Sequence, residues 1–257
     1  ELFCIIDDFF LKFEATYWKF LKQCHHSVRI RPAHLSISEI CFIAIWYKCS
    51  HFNNFKAFFI WLKEDKSHLF SHLPCYQRMT HLINMHQLAL HALHVALMKG
   101  QHRSYLWIDS TTLPVCKNQR IQRHKSLASI ASRGKSSMGW FYGCKLHIAM
   151  NQFGEIACSA LSNGHIADIK MVEQLVEGLE AKLYADRGYI SQELKTRLKE
   201  QGIDLITYHR KNMQAIQLSA SNGYHLKQRN KIETLFSLLK GQYNLVTSRA
   251  RSMHGFL

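Results

Sequence analysis

The feature that most constrains this chain is a change of hydrophobic period near Gly100. Ahead of it the apolar residues recur at helical spacing, and only Pro32 and Pro74 interrupt them. Proline removes a backbone donor and clashes with the preceding turn, so each of the two separates apolar segments. Helices are predicted at about 5–23, 38–49, 51–63 and 75–98, with Ser36 or Ser38 as candidate caps of the second. Beyond Gly100 the pattern turns to short aromatic and β-branched runs: Tyr105–Ile108, Lys145–Met150, Glu155–Ser162, Lys182–Ala185 and Asp204–Tyr208. Between and after them lie three helical segments. One is capped by Asp168 and carries Val172, Leu175, Val176 and Leu179 at offsets 0, 3, 4 and 7; a second runs from Ser191 to a stop at Gly202; the third surrounds Glu233. The order strand, strand, strand, helix, strand, helix, strand, helix describes a mixed sheet covered by helices. The division is therefore a helical region over residues 1–100 and an α/β region over 101–257.

Charge divides at the same place. Residues 1–100 carry 11 Lys and Arg against 7 Asp and Glu (+4), and residues 101–257 carry 22 against 11 (+11). The second region is the expected partner of a polyanion, while the helices of the first could hold a DNA reader. The segment from Cys116 to about Tyr142 is a long basic loop candidate, holding Lys117, Arg120, Arg123, Lys125, Arg133 and Lys135. It could order on a phosphate backbone, with Arg133 and Lys135 among its DNA contacts. Trp140-Phe-Tyr142 at its end could stack on an unpaired base, or could simply be core at a strand start. The eight cysteines include no Cys-x-x-Cys pair and read as reduced thiols of a cytoplasmic protein. The longest apolar stretch, 37–47, is about half of the ~20 residues a membrane span needs. His91 and His94 are near neighbours on one helix, but the remaining histidines of that segment scatter around it and give no metal pattern.

Against this basic background three acids stand out. Glu233 is the only acid from Leu205 to Leu257, although Arg210, Lys211, Lys227, Arg229, Lys231, Lys240, Arg249 and Arg251 surround it in sequence. Ile232, Leu235, Phe236 and Leu239 make the buried stripe of its helix, and Arg229, Glu233 and Lys240 form a polar line beside that stripe. Asp109 is the only acid between Lys66 and Gly154 and is expected at the end of the Tyr105 strand. Asp186 ends the Lys182 strand and is followed by the turn Arg187-Gly188. If the two strands are parallel neighbours, their carboxylates meet at the strand ends, where ligands of open α/β sheets bind. Three carboxylates brought together repel one another unless a hard divalent cation neutralises them. Mg²⁺ takes oxygen ligands and keeps waters open for phosphate oxygens, and two such ions suit an in-line phosphoryl displacement. Competing chemistries lack their motifs, for there is no phosphate-binding Gly-x-x-x-x-Gly-Lys-Ser/Thr loop, Gly-x-Ser-x-Gly elbow or His-Glu-x-x-His pair.

Ile108-Asp-Ser110, Ala185-Asp-Arg-Gly-Tyr189 and Ile232-Glu-Thr-Leu-Phe236 resemble the three signature segments of bacterial insertion-sequence transposases of the DDE type. The resemblance covers about 105–257, and Gly139–Gly154 is similar to that family's second and third strands. It implies a ribonuclease-H-like catalytic domain with Asp109, Asp186 and Glu233 as a triad binding Mg²⁺, for which Mn²⁺ could substitute. The implied reaction is cleavage by metal-activated water and then attack of a 3′-hydroxyl on target DNA. The implied partners are double-stranded DNA, as element ends and as target, and a second copy of the chain; no membrane is expected. In such transposases a Tyr, an Arg and a Lys accompany the glutamate. Arg229 and Lys240 match, at 4 before and 7 after, while Leu226 holds the tyrosine's place. Arg229 and Lys240 are thus expected at phosphate near the scissile bond, with Arg187 and Lys145 as further candidates. Two other readings are a ribonuclease-H-like nuclease without strand transfer and an inactive DNA-binding remnant.

Overall fold

A computed structural model describes residues 1–24, 34–99, 104–208, 218–246 and 252–256. Pro32, Gly100, Arg210, Lys211, Arg249 and Arg251, all used in the sequence argument, lie outside the described residues. The chain separates into two compact units, Glu1–Leu97 with Ser252–Leu257, and Met98–Arg251.

The first unit is built from α1 (Leu2–Cys24), α2 (Ile37–Cys49), α3 (Phe55–Asp65), α4 (Tyr76–Met85) and α5 (Gln87–Lys99). Ser36 is the cap of α2: its hydroxyl accepts from the Glu39 N–H, and its own N–H donates to the Glu39 carboxylate. α3 starts later than its apolar pattern suggested, at Phe55, because the Asn54 side chain accepts from the Ala57 N–H and fixes the first turn there. α2 is apolar on two sides. Ile40 and Ile43 pack with Phe58, Phe59 and Leu62, while Ile37 and Cys41 pack with Ile6, Phe10 and Leu93. The single helix expected at 75–98 is two, broken at His86. The buried His86 ring lies against Tyr17 and Trp18, and the backbone there leaves helical geometry at φ −94 and ψ 19. Among the described residues no helix is long and apolar enough to cross a membrane.

The second unit has β1 (Tyr105–Cys116), β2 (Ser132–Ser136), β3 (Gly139–Asn151), β4 (Ile156–Asn163), β5 (Lys182–Ala185) and β6 (Asp204–Thr207), with α6 (Val172–Leu175), α7 (Gln192–Glu200), α8 (Ala220–Gln228) and α9 (Asn230–Gly241). β1 is antiparallel to β3 and parallel to β5; β3 pairs antiparallel with β4, and β5 parallel with β6. The strand order β4-β3-β1-β5-β6 is the mixed sheet flanked by helices that the ribonuclease-H-like expectation required. β2 lies on the same edge of β3 as β4, but against its first residues, Gly139–Gly143. That crowded corner needs glycine, since a Cβ on Gly143 would stand 2.0 Å from the Leu113 carbonyl oxygen.

Side chains of a strand alternate between faces. Leu106 and Ile108 point to a core made with Val172, Val176, Leu194 and Leu198 from the α6 and α7 side. Trp107 points the other way, to Tyr184, Leu226, Ile232 and Phe236 from the α8 and α9 side. Two further differences from the sequence reading matter. β1 does not end at Asp109 but runs to Cys116, so Asp109 is mid-strand, and the supposed long loop contains β2 and a 3₁₀ helix at Asn118–Arg123. Asp168 does not cap a helix with its side chain; its carboxylate accepts from the Lys145 ammonium, 2.9 Å away across the sheet.

Candidate active site

Asp109 follows Trp107 by two residues and so lies on the α8 and α9 face of β1. Its parallel neighbour is fixed by register. Tyr105, Leu106 and Trp107 pair with Lys182, Leu183 and Tyr184, and two residues further on each strand are Asp109 and Asp186. β5 ends at Ala185 while β1 continues, so Asp186 stands at the mouth of a notch beside Asp109, about one strand spacing (~4.8 Å) away by backbone geometry. The turn after it is a short 3₁₀ helix, Arg187–Tyr189, closed by the Tyr189 N–H donating to the Asp186 carbonyl at 3.0 Å.

α9 brings the third acid. Leu226, Ile232 and Phe236 seat α8 and α9 on Trp107, and the Trp107 indole N–H donates to the His225 carbonyl at 2.7 Å. Arg229, between the two helices, then bridges two of the acids. One guanidinium nitrogen donates to Asp109 Oδ2 at 3.2 Å and the other to Glu233 Oε1 at 3.3 Å. The Arg229 side chain is only 13% exposed and that of Asp109 25%, whereas Glu233 is 61% exposed. Asp109 Oδ1 also accepts from the Ser110 N–H at 2.8 Å. Burial pushes the Asp109 carboxyl above its usual range. The Ser110 N–H and Arg229 oppose that rise, and the nearby negative charges of Asp186 and Glu233 add to it. All three carboxylates therefore act within one electrostatic cluster.

The donor set is wholly carboxylate oxygen and mutually repelling, which fits a hard divalent cation. Arg229 supplies one positive charge, shared by Asp109 and Glu233, and among the described residues no three carboxylate, histidine or cysteine side chains converge tightly enough to hold one ion.

The remaining candidates are distributed differently. Arg187 is exposed beside Asp186, and Lys240 is half-buried two turns along α9 from Glu233. Lys145 is buried and committed, its ammonium donating to Asp168 and to the Ile166 carbonyl, both at 2.9 Å. It is thus a structural ion pair behind the sheet, unavailable to DNA as placed. Arg133 and Lys135 are exposed on β2, which the first residues of β3 separate from the far end of β1. Sequence reasoning missed the Asp109–Arg229 pair, because 120 residues separate its members. The i,i+4 relation of Arg229 to Glu233 was its only trace in the sequence.

A model of the transposase DDE domain family matches residues 99–253. No curated protein matches the chain. Among solved structures, it is similar to the piggyBac transposase in a synaptic complex with hairpin DNA, at 11% identity and a TM-score of 0.42. That alignment covers 86% of this chain and 57% of the other, so the chain spans little more than half of the length it matches.

Proposed function

The chain belongs to the transposase DDE domain family, and from that premise we propose that it is a DNA transposase whose catalytic triad is Asp109, Asp186 and Glu233. The observation that carries the assignment is the notch itself: two aspartates at matched positions of parallel strands, and a glutamate tied to one of them through Arg229. In this reading the three carboxylates would hold Mg²⁺, or Mn²⁺ in its place. A bound ion would supply a Lewis acid for the phosphoryl oxygens and a water made nucleophilic at neutral pH. The chain's own residues do the rest. Asp109, half-buried and oriented by the Ser110 N–H, is the more constrained member; Glu233, exposed on α9, is the member that can adjust to substrate. Arg229 and Lys240 flank the glutamate along its helix and, with the exposed Arg187, would meet phosphates near the scissile bond. The substrate would be double-stranded DNA at the ends of the element and then the target. Two copies of the chain would hold the two ends, with the helical N-terminal unit adding DNA contacts.

The test is Glu233→Gln. It should abolish Mg²⁺-dependent cleavage of DNA carrying the element end while leaving DNA affinity in place, and undiminished cleavage would sink the assignment. Joining of a labelled end to a plasmid distinguishes a transposase from a nuclease that only cuts.

A further inference from the structure

A cluster of basic residues lies at the far end of β1, away from the triad. The 3₁₀ helix Asn118–Arg123 places Arg120 and Arg123 three residues apart, with Lys117 three residues earlier at its start. In a 3₁₀ helix residues three apart eclipse one another at about 6 Å along the axis, so the two arginines share one face, and Lys117, extended at the position before the helix, stands next to it. These three line a cleft of about 550 Å³, together with Val115, Cys116 and His124. Among the described residues none of the three cations forms an ion pair, and the sequence has no acid between Ser110 and Gly154 that could serve. A row of like charges without counter-ions destabilises the fold by itself and is relieved by a polyanion. In the same cleft the His124 Nε2 is buried without a hydrogen-bond partner.

An aromatic surface adjoins this row. The Asn118 side-chain amide donates to the Trp140 carbonyl at 2.9 Å, tying the 3₁₀ helix to the start of β3. Trp140 is 64% exposed, and the Lys135 ammonium sits over one face of its ring, 5.9 Å from the centre. Cations that track a backbone beside an exposed indole are the elements of single-strand recognition. In a duplex the base faces are already stacked, and Trp140 would have nothing to cover.

We propose that Lys117, Arg120 and Arg123 bind consecutive phosphates of an unpaired DNA strand while Trp140 stacks on one of its bases. The seven residues of extended β1 from Asp109 to Cys116 put this grip about 24 Å from the triad. It thus holds a strand while cleavage occurs elsewhere. That the strand is DNA rests on the transposase reading; the grip itself does not.

Fluorescence anisotropy of the full chain with a labelled oligothymidylate, and with a duplex of equal length, tests the proposal. Trp140→Ala should weaken single-strand binding about tenfold and leave duplex binding unchanged, and Trp140→Phe should recover most of the loss. The pair Arg120→Gln and Arg123→Gln should lower the salt slope for the single strand by about 1.4. Equal effects of Trp140→Ala on both ligands, or an unchanged salt slope, would overturn the site. Tighter binding of oligouridylate than of oligothymidylate would overturn the choice of DNA. Cleavage by Glu233→Gln reads the triad assignment and single-strand binding by Trp140→Ala reads this site, so the failure of each is separately visible.

Discussion

Replacing Arg229 with glutamine should expose how the acidic cluster is neutralised. The bond to Asp109 joins two side chains that are 13% and 25% exposed, a setting in which a charged hydrogen bond contributes about 1.5–2 kcal/mol. The bond to Glu233 is an i,i+4 pair whose acid is 61% exposed, worth about 0.3–0.5 kcal/mol. Without divalent cations the catalytic unit should therefore lose about 2 kcal/mol. For a unit of roughly 150 residues that corresponds to a fall in Tm of about 4–8 °C by differential scanning calorimetry. If the triad holds Mg²⁺ as proposed, a saturating concentration of the cation would take over part of that neutralisation, and the same substitution should lower Tm by less than half as much. Asp109→Asn in the Arg229→Gln background should recover most of the loss, because burial already disfavours the Asp109 charge. An equal fall with and without Mg²⁺, or none without it, would refute the reasoning.

Three predictions concern stability alone. His147 is buried against the Ser162 hydroxyl, and burial lowers it from 6.5 to about 4. As pH falls below 6.5 the unfolded chain binds the proton first, so stability should drop between about pH 6.5 and 4 by a total near 3 kcal/mol. His147→Gln should flatten that part of the urea-unfolding profile, and an unchanged slope would contradict the assignment. Gly143→Ala drives a Cβ to 2.0 Å from the Leu113 carbonyl oxygen and should cost about 2–4 kcal/mol in urea unfolding. Gly223→Ala, on α8 with no atom within 4 Å of the added carbon, should instead stabilise by about 0.5–1 kcal/mol.

The legible parts of this fold were those set by local period, and the illegible ones were set by distant partners. Lys182–Ala185 and Asp204–Thr207 appear almost as their apolar runs suggested. β1 was cut short at Asp109, and its Pro114 argues against a strand in isolation. Proline is tolerated there because the β1–β3 ladder shifts between Pro114 and Cys116, where no amide is demanded of it. β2, with the sequence Ser-Arg-Gly-Lys-Ser, has no apolar alternation; it is a strand because the open edge of β3 supplies its hydrogen bonds. Asp168 has the composition of a cap, but Lys145 lies across the sheet and takes its carboxylate. At the candidate site the isolation of Asp109, Asp186 and Glu233 in a basic sequence was readable, since charge context is a one-dimensional property. The guanidinium that joins two of them was not, because only the packing of α8 and α9 brings Arg229 to β1.

That packing explains how a cluster of acids can exist at this place. The Ser110 N–H and Arg229 only partly offset what burial and two other carboxylates cost the Asp109 charge, since its carboxyl is still raised. Its position is set from below by Trp107, locked to the His225 carbonyl and covered by Leu226, Ile232 and Phe236. Covering an aromatic and three aliphatic or aromatic side chains contributes several kcal/mol, on the order of 1.5–3 for each, enough to offset the cost of crowding charge two residues further along the strand. The same apolar seat orients α9 so that Arg229 and Glu233 both reach the notch left where β5 ends. The acids are thus brought to one place by hydrophobic contacts, and an arginine on the same scaffold bridges two of them, Asp109 and Glu233.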